Sequence, residues 1–422
     1  MRGVLPASCR RKFGGTRSIL DSSPQTKHLT GKTTSEIIAG LLAASGKGSD
    51  LIISPGHPPH VKLHGKIVPV CVPGIESFSI EETARIATDI IGTNKFAQHK
   101  LKEEGSCDVS YSVPGVARLR VNIFSQRGTN AIVMRMVPTE IPNLVSMNLP
   151  AQFLEIADPR NGVVLVAGAT GSGKSSSLAA LLDYINAQKS CHILTIEDPI
   201  EFAHKHKKSI IHQRELHADC PRFDTALRAA LRQSPDVILV GEMRDKETIE
   251  IVLEAAETGH LVFSTMHTVD ASATMERMVG VFSGGEQQAI RCRFAKSFRY
   301  IIAQRLIPRR DRNGRVAIFE ILKSTLRTQE YVVKGDSDGK SLIDAMRDGS
   351  TEGMQYFDGE LEKLLRAGTI DLETCMSFAT NPGNLALQIT DLQKYTAETQ
   401  VVALPPGAAS EVEFEVERTS TR

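Results

Sequence analysis

The stretch that decides the fold is a glycine-rich octapeptide, Gly168-Ala169-Thr170-Gly171-Ser172-Gly173-Lys174-Ser175. It follows the apolar run Val163 to Ala167 and precedes a stretch with helical character, Ser176 to Asn186. A strand, a glycine-rich loop and a helix in this order are typical of a phosphate-binding loop. We therefore predict that this segment binds the phosphates of a nucleoside triphosphate.

The chemistry of phosphate binding explains the spacing of residues in this loop. Gly168, Gly171 and Gly173 allow the backbone to curl, so that successive N–H groups and a helix N-terminus face the phosphates. Lys174 is expected on the β and γ phosphates, and Ser175 is expected to supply a hydroxyl ligand to Mg²⁺. The predicted nucleotide-binding residues of the loop are Gly168, Ala169, Thr170, Gly171, Ser172, Gly173, Lys174, Ser175 and Ser176.

The residues after the loop predict an α/β fold. Helical patterns alternate with short apolar runs typical of buried strands, which are Val163 to Ala167, His192 to Ile196, Val237 to Val240 and Leu261 to Thr265. This alternation predicts a largely parallel sheet with helices on both faces and a site at the carboxyl ends of the strands. Polar residues collect at those ends, namely Glu197, Asp198, Glu242 and His267. Farther along, helical spacing predicts one helix from Glu286 to Ile302.

The chain divides into two predicted domains and two tails. Before the loop, Leu119, Val121 and Ile123 alternate with polar residues, which is typical of half-buried strands in a small α+β domain. Prolines punctuate the segment from Pro138 to Pro150, where we place the domain boundary. The predicted divisions are a basic disordered tail at 1–30, an N-terminal domain at 31–138, a linker at 139–150, a loop-containing domain with C-terminal helices at 151–395, and an acidic disordered tail at 396–422.

Composition argues against several classes of function. Of the 422 residues, 50 are basic and 49 are acidic, so no global charge favours nucleic acid as a partner. The seven cysteines include no Cys-x-x-Cys pair, which argues against a zinc site and a disulfide framework and fits a reducing compartment. No apolar run approaches the ~18 residues needed to cross a bilayer, so any membrane association is expected to come through partners.

A second motif near the nucleotide runs from Asp236 through Val240 to Gly241 and Glu242. The pattern predicts an apolar strand that ends at the site and is followed there by an acidic residue. In many nucleotide-hydrolysing enzymes this strand ends in an aspartate that holds Mg²⁺ through water, and Gly241 takes that place here. Glu242 is then the best candidate to orient or deprotonate the attacking water.

Four ordered motifs resemble those of the secretion and type IV pilus ATPases, and within them the retraction group that includes PilT and PilU. The motifs are the phosphate-binding loop, an aspartate box at Thr195 to Phe202, an atypical Walker B stretch at Leu231 to Asp245, and a histidine box at Ala256 to Thr268. The resemblance extends from about Ser49 to Leu387. It implies a PAS-like N-terminal domain followed by a RecA-like P-loop ATPase domain with a helical C-terminal region.

The same resemblance implies roles for individual residues. Glu197 and Asp198 would line the metal and water side of the site, and His267 would sense the γ phosphate or couple it to a neighbouring subunit. In the ring-shaped assemblies of this family, arginines of the N-terminal domain can close over the nucleotide. The candidates in this chain are Arg118, Arg120 and Arg135. The implied catalytic residues are Glu242, Lys174, Glu197 and His267, and the implied metal ligands are Ser175, Asp198 and Glu242.

By resemblance, the chain would be an ATPase that uses ATP and Mg²⁺ to power type IV pilus retraction, the pilin disassembly behind twitching motility. It would act as a homo-hexamer. The expected partners are an inner-membrane pilus platform protein and another retraction ATPase. The expected location is the cytoplasm, peripheral to the inner membrane, with no direct membrane span and no nucleic acid partner.

Two alternatives stay open. Assembly-type relatives usually carry a four-cysteine zinc insert and extra N-terminal domains, neither of which this sequence shows, and this favours the retraction type. However, retraction motors commonly have Ala-Ile-Arg-Asn-Leu-Ile-Arg where this chain has Leu326 to Val333. This departure argues against independent retraction and keeps open an accessory, PilU-like subunit with low turnover that acts on a partner ATPase. A secretion or DNA-handling conjugation ATPase is less favoured, because the chain has no tryptophan and a net charge near zero.

Overall fold

Two β-sheets, one in each half of the chain, organise the structure. The structure is a computed structural model that describes residues 32–46, 48–63, 65–138, 140–335 and 341–390. The tails predicted at 1–30 and 396–422 lie outside the described residues. Within the described ranges, no helix is both long enough and apolar enough to cross a membrane.

The N-terminal half folds around an antiparallel sheet. Its strands are β1 (Asp50–Ile53), β2 (His60–Leu63), β3 (Lys66–Pro69), β4 (Ser106–Val113), β5 (Ala117–Gln126) and β6 (Thr129–Val137), and its helices are α1 (Thr34–Ser45), α2 (Ile80–Ile91) and α3 (Lys95–Glu104). The six strands lie in the order β3-β2-β1-β6-β5-β4. Along β5, Leu119, Val121 and Ile123 are buried and the arginines between them are only partly buried, so the predicted alternation is observed.

The second half contains a larger, mostly parallel sheet. Its strands are β7 (Gly162–Ala167), β8 (His192–Glu197), β9 (Ile210–Glu215), β10 (Val237–Val240), β11 (Leu261–Met266), β12 (Phe298–Pro308) and β13 (Arg315–Lys323). These seven strands lie in the order β13-β12-β7-β11-β10-β8-β9, and each neighbouring pair is parallel except β12 with β13. The predicted α/β fold with a largely parallel sheet is confirmed by this topology.

Helices follow most strands of this sheet. They are α4 (Gln152–Ile156), α5 (Lys174–Gln188), α6 (Phe223–Ala230), α7 (Lys246–Glu257), α8 (Ala271–Gly280), α9 (Gly284–Ser297), α10 (Leu326–Lys334), α11 (Leu342–Asp348), a 3₁₀ turn (Gly349–Glu352), α12 (Phe357–Arg366), α13 (Leu372–Phe378) and α14 (Pro382–Gln388). The last helices of this series pack together beside β12 and β13. They form a helical C-terminal region, as the resemblance to a known family implies.

Both faces of the second sheet are covered, as the environment of β7 demonstrates. All six residues of β7 are buried. Val163 and Leu165 pack into one hydrophobic core, whereas Val164 and Val166 pack into another, because successive side chains of a strand point to opposite faces. Burial of each such side chain contributes about 1.5–3 kcal/mol. The central strand is therefore held from both sides at the point where the phosphate loop begins.

The helix predicted from Glu286 to Ile302 is wrong at its end. The structure has helix Gly284–Ser297, followed at once by β12. Within β12, Ile301 pairs in parallel with Leu165 of β7. The apolar and β-branched residues at the end of the predicted segment satisfy helical spacing and strand pairing equally well, and the presence of a fully buried neighbouring strand decides between the two.

The cysteines fall into two groups. Cys71 is disulfide-bonded. The free thiols among the described residues are Cys107, Cys191, Cys220, Cys292 and Cys375. The structure thus contains a disulfide bond that the spacing of the cysteines does not indicate, because a disulfide needs two cysteines close in space and sequence spacing does not report such proximity.

The two halves meet at the carboxyl ends of the parallel strands. β6 ends at Val137 and β7 begins at Gly162, with the short helix α4 between them. Side chains also join the halves directly, since Arg120 of β5 bonds to Glu201 after β8 and Asn94 before α3 bonds to the carbonyl of His217 after β9. The fold thereby leaves a cleft between the N-terminal sheet and the strand ends of the second sheet.

Candidate nucleotide-binding site

A cleft of about 760 Å³ lies between the two halves of the chain. Its lining comes from the loops that follow β7, β8, β10 and β11 and from β5 and β6 of the N-terminal half. The predicted site residues in the lining beyond the phosphate loop are Glu197, Asp198, Glu242, His267, Arg120 and Arg135. The carboxyl ends of parallel strands thus bring together residues that are distant in the sequence.

The loop after β7 has a backbone that requires glycine at two positions. Gly168 and Gly173 have φ angles of 149° and 93°. A Cβ atom on Gly168 would lie 2.5 Å from Ser172 Oγ and 2.7 Å from the carbonyl oxygen of Gln304. A Cβ atom on Gly173 would lie 2.8 Å from Gln304 Nε2. Glycine at both positions therefore lets the loop curl tightly against β12.

Helix α5 begins at Lys174, directly after the loop. The first amide groups of a helix have no acceptor within the helix, and the helix dipole adds a positive partial charge at the same end. Ser175 and Ser176 belong to this first turn and line the cleft. The start of α5 is therefore suited to hold a phosphate group in the cleft.

Lys174 is buried at the base of the loop. Its Nζ donates hydrogen bonds to the carbonyl oxygens of Gly168, at 2.7 Å, and Ala169, at 3.0 Å. Burial lowers the pKa of Lys174, and the nearby carboxylate of Glu242 opposes that effect. The ammonium group is held by neutral carbonyl groups, which charged phosphate oxygens can replace as stronger acceptors.

The predicted loop residues divide into a front group, which lines the cleft, and a back group, which does not. Six of the nine line the cleft, and these are Thr170, Gly171, Gly173, Lys174, Ser175 and Ser176. The other three, Gly168, Ala169 and Ser172, are not part of its lining. Ser172 is buried, and its hydroxyl oxygen has no hydrogen-bond partner among the described residues. The back residues therefore shape the loop, and the front residues are placed for contact with a ligand.

Glu197 ends β8 and is buried beside the cleft. Its Oε1 accepts hydrogen bonds from Thr195 Oγ1 at 2.6 Å and Gln213 Nε2 at 3.1 Å, and its Oε2 accepts one from the amide of Glu201 at 3.3 Å. Burial raises the pKa of Glu197, although these hydrogen bonds oppose the rise. The next residue, Asp198, is exposed. The carboxylate of Glu197 is thus hydrogen-bonded to other residues of the protein, whereas Asp198 is accessible to a ligand in the cleft.

Glu242 and His267 lie side by side at the cleft. Arg244 Nε is 2.6 Å and His267 Nε2 is 3.6 Å from Glu242 Oε2. Neither contact meets the distance and angle of a hydrogen bond, so this buried oxygen, although ion-paired with Arg244, has no hydrogen-bond partner in the described part of the chain. Burial lowers the pKa of His267, and Lys174 acts in the same direction. A neutral imidazole beside a carboxylate oxygen is suited to hold a water molecule or a phosphate oxygen.

The structure gives a reason for glycine at the end of β10. Gly241 lies against β8, where a Cβ atom would be 3.3 Å from both Glu197 Cα and the carbonyl oxygen of Ile196. The amide of Gly241 donates to that carbonyl at 2.8 Å, and its own carbonyl accepts a hydrogen bond from Thr265 Oγ1 at 2.6 Å. A larger residue would force β8 and β10 apart at the site.

Each of the three candidate arginines is paired with a carboxylate. The pairs are Arg118 with Glu215 at 2.9 Å, Arg120 with Glu201 at 3.0 Å, and Arg135 with Asp50 at 2.6 Å. Arg120 and Arg135 line the cleft, where a guanidinium group can exchange a carboxylate for a phosphate. Arg118 is not part of the cleft lining, and its partner is buried. Arg120 and Arg135 are therefore placed to contact a ligand in the cleft, and Arg118 is not.

The fold also brings to the cleft several residues that were not predicted from the sequence. Arg244 and Arg315 line it, as does Phe223. Arg244 lies two positions after Glu242 in the atypical Walker B stretch, and this proximity is a signal that could have identified it. Arg315 begins β13, and no local pattern marks it, because only the tertiary fold places that strand end near the loop.

Comparison with protein families gives a match to the family described as Type II/IV secretion system protein over residues 70–356 of the 422. The matched range contains the cleft-forming strands β5 and β6 and the whole second sheet. The chain belongs to this family. Its relatives include two proteins named as type IV pilus ATPases.

Two relatives and one solved structure illustrate the similarity. The chain is 41% identical over 349 residues to the type IV pilus retraction ATPase PilT of Pseudomonas aeruginosa, which covers 82% of this chain and 99% of the relative. It is 36% identical over 343 residues to the type IV pilus ATPase PilU of the same organism, which covers 81% and 88%. The crystal structure of the pilus retraction motor PilT with bound ADP matches with a TM-score of 0.72 at 39% identity and covers 83% of this chain and 98% of that one.

Proposed function

We propose that this chain is the ATP-hydrolysing motor of type IV pilus retraction and acts as a hexameric ring that disassembles pilin in twitching motility. The observation that carries the proposal is 41% identity to PilT over 99% of that relative, with the phosphate loop intact. The two halves would be the PAS-like and RecA-like domains of such a motor. The ring would work in the cytoplasm, peripheral to the inner membrane through a pilus platform protein.

ATP would bind in the cleft between the two halves. The amides of the loop and of the first turn of α5 would hold the phosphates. Lys174 would exchange the carbonyl groups of Gly168 and Ala169 for oxygens of the β and γ phosphates. The structure of the PilT relative contains ADP, which supports an adenine nucleotide here. Arg120 and Arg135 would close over the phosphates from the N-terminal half.

Mg²⁺ fits the residues around the phosphate loop. Ser175 is exposed in the cleft, and Glu242 has a buried carboxylate oxygen without a hydrogen-bond partner among the described residues. Such oxygens are the ligands that this hard cation takes. Ser175, Asp198 and Glu242 would hold the ion together with phosphate oxygens and water. When bound, Mg²⁺ neutralises the negative charge that develops on the phosphates.

Glu242 would orient or deprotonate the water that attacks the γ phosphate. The attack forms a bond between the water oxygen and phosphorus and breaks the bond from phosphorus to the oxygen that bridges the β and γ phosphates, so that ADP and phosphate leave. His267, beside Glu242, would contact the γ phosphate and report its presence to a neighbouring subunit. Glu197 would act from inside the protein by holding the loop that carries Asp198.

A second candidate function is that of an accessory, PilU-like subunit, which binds ATP but turns over slowly and acts on a partner retraction ATPase. The observation that favours it is the segment Leu326 to Val333, which departs from the usual sequence of retraction motors. This segment forms most of α10. The lower identity to PilU than to PilT, 36% against 41%, favours the autonomous motor.

Binding and turnover of ATP by the purified chain and its Lys174→Ala variant test the proposal. The wild type is expected to hydrolyse ATP with Mg²⁺. Lys174→Ala is expected to lose at least about a hundredfold in turnover, because the ammonium charge no longer stabilises the transferred phosphate. Unchanged hydrolysis by the variant would refute the assignment. Tight ATP binding with little turnover, raised only by a partner ATPase, would establish the accessory role instead.

A further inference from the structure

An ion pair between the two halves of the chain, in which the carboxylate is buried, suggests a separate role for Arg118. Arg118 Nη2 on β5 lies 2.9 Å from Glu215 Oε2 at the end of β9. Glu215 is only 3% exposed. Burial of a charged carboxylate is costly unless hydrogen-bonded or charged partners compensate it. The contact therefore joins the two halves through a carboxylate that solvent screens little.

Glu215 also accepts a hydrogen bond from the loop of residues 197–201, which follows β8 at the cleft. Its Oε2 accepts a second hydrogen bond, at 3.1 Å, from the amide of Ile200. The pairing of β8 with β9 sets Glu215 beside Glu197, whose carbonyl accepts a hydrogen bond at 2.8 Å from the amide of Leu216. One carboxylate oxygen thus bonds both to Arg118 and to the loop of residues 197–201, which contains Asp198.

Arg120 lies two positions along β5 and offers a contrast, because alternate residues of a strand share a face. It pairs with Glu201 at 3.0 Å, and the two side chains are 38% and 45% exposed. An exposed pair contributes little and is easily broken, whereas removal of Arg118 would leave the buried carboxylate of Glu215 without a charged partner. Arg120 can therefore exchange Glu201 for a phosphate while Arg118 stays on Glu215.

We propose that Arg118 and Glu215 form a positioning pair that holds the loop of residues 197–201 in the place required for hydrolysis and fixes the N-terminal half against it. Arg118 acts through Glu215 and Ile200 and does not contact phosphate. This role replaces the phosphate contact that family resemblance implies for Arg118. The inference rests on the proposed ATPase function of the cleft.

Hydrogen exchange of the full chain tests whether the pair holds the loop. The variants are Arg118→Gln, Glu215→Gln, the double variant, and Arg85→Gln, which removes an exposed arginine elsewhere in the N-terminal half. Exchange in peptides that span residues 197–202 should rise about tenfold in both single variants of the pair. Arg118→Gln removes the cation that fixes the Glu215 carboxylate, and Glu215→Gln leaves only a neutral, weaker acceptor for the amide of Ile200. Arg85→Gln should exchange like the wild type.

ATP kinetics separate a positioning role from a phosphate contact. We expect kcat to fall about tenfold in Arg118→Gln and in Glu215→Gln, with KM for ATP changed less than about twofold. The double variant should be no worse than either single one, because the two residues act as a unit. Reversal of the pair, with Arg118→Glu and Glu215→Arg in one chain, should restore part of kcat.

Several results would overturn the positioning pair. A rise in KM confined to Arg118→Gln, with Glu215→Gln at the wild-type level, would mean that Arg118 contacts phosphate directly. Unchanged exchange at residues 197–202, or faster exchange with wild-type kcat, would also remove the proposed role. A wild-type chain that does not hydrolyse ATP would refute the proposed function instead, and the exchange experiment would still decide whether the pair holds the loop.

Discussion

The stability of the fold is expected to depend on pH through Glu320, a buried carboxyl group near the site. Glu320 lies on β13 and is 2% exposed, and its Oε1 accepts a hydrogen bond at 2.7 Å from the amide of Ala271 at the start of α8. Burial raises the pKa of Glu320 to about 7 from its ordinary value of 4.5, although the Ala271 hydrogen bond opposes the rise. Glu320 therefore titrates near neutral pH, behind the loop that carries His267.

A carboxyl pKa that is higher in the folded chain makes stability fall as pH rises. Between pH 4.5 and about pH 7, the folded chain keeps a proton on Glu320 that the unfolded chain has lost. The contribution of Glu320 is therefore fully present below pH 4.5 and is lost as pH rises through about 7. The pKa difference of about 2.5, at about 1.36 kcal/mol for each pKa unit, corresponds to about 3 kcal/mol.

The variant Glu320→Gln removes this titration and keeps an oxygen that can accept the Ala271 amide. In urea unfolding between about pH 5 and about pH 8, the free energy of unfolding of the wild type should fall relative to that of the variant by about 2–3 kcal/mol. Glu103→Gln, which removes an exposed carboxyl group, serves as the control and should follow the wild type. Parallel curves for the wild type and Glu320→Gln would refute the reasoning.

Three glycine substitutions test packing at the site. Gly168→Ala should lower stability by about 2–3 kcal/mol and weaken ATP binding at least about tenfold in titrations, because the new Cβ would meet Ser172 Oγ at 2.5 Å. At Gly171 φ is 80°, but no described atom lies within 4 Å of the new Cβ. Gly171→Ala should therefore lose about 1 kcal/mol of stability from backbone strain alone. Equal losses of stability in Gly168→Ala and Gly171→Ala would contradict the packing argument. Gly241→Ala should lose about 1 kcal/mol in thermal unfolding and lower kcat by displacing β8, so wild-type kcat would count against the role given to that contact.

Local sequence was sufficient for several of the strands and helices that form the site. The strand predicted from Val237 to Val240 has the same bounds in the structure, and the helix predicted from Ser176 to Asn186 lies within α5. Each is encoded within one continuous segment, by an apolar run or by the glycine pattern that precedes a helix. The polar ends of parallel strands could likewise be placed in one site, because the topology of an α/β sheet gathers them.

Contacts between distant segments could not be predicted in this way. Arg118 and Glu215 are 97 residues apart, and no periodicity links them. The resemblance to a family gave Arg118, Arg120 and Arg135 one shared role, whereas burial distinguishes the pair of Arg118 from the exposed pair of Arg120. The end of α9 at Ser297 was also beyond prediction, since it depends on β7 as a partner for the following strand.

The central claim is that the cleft hydrolyses ATP within a ring. It is tested most directly by the steady-state ATPase activity of the purified chain beside its Glu242→Gln variant, with the oligomeric state measured by light scattering in the same samples. We predict turnover by a hexameric wild type that falls at least about a hundredfold in the variant, while the ring stays intact. Equal turnover in the two proteins, or a ring that binds ATP without turning it over, would contradict the claim.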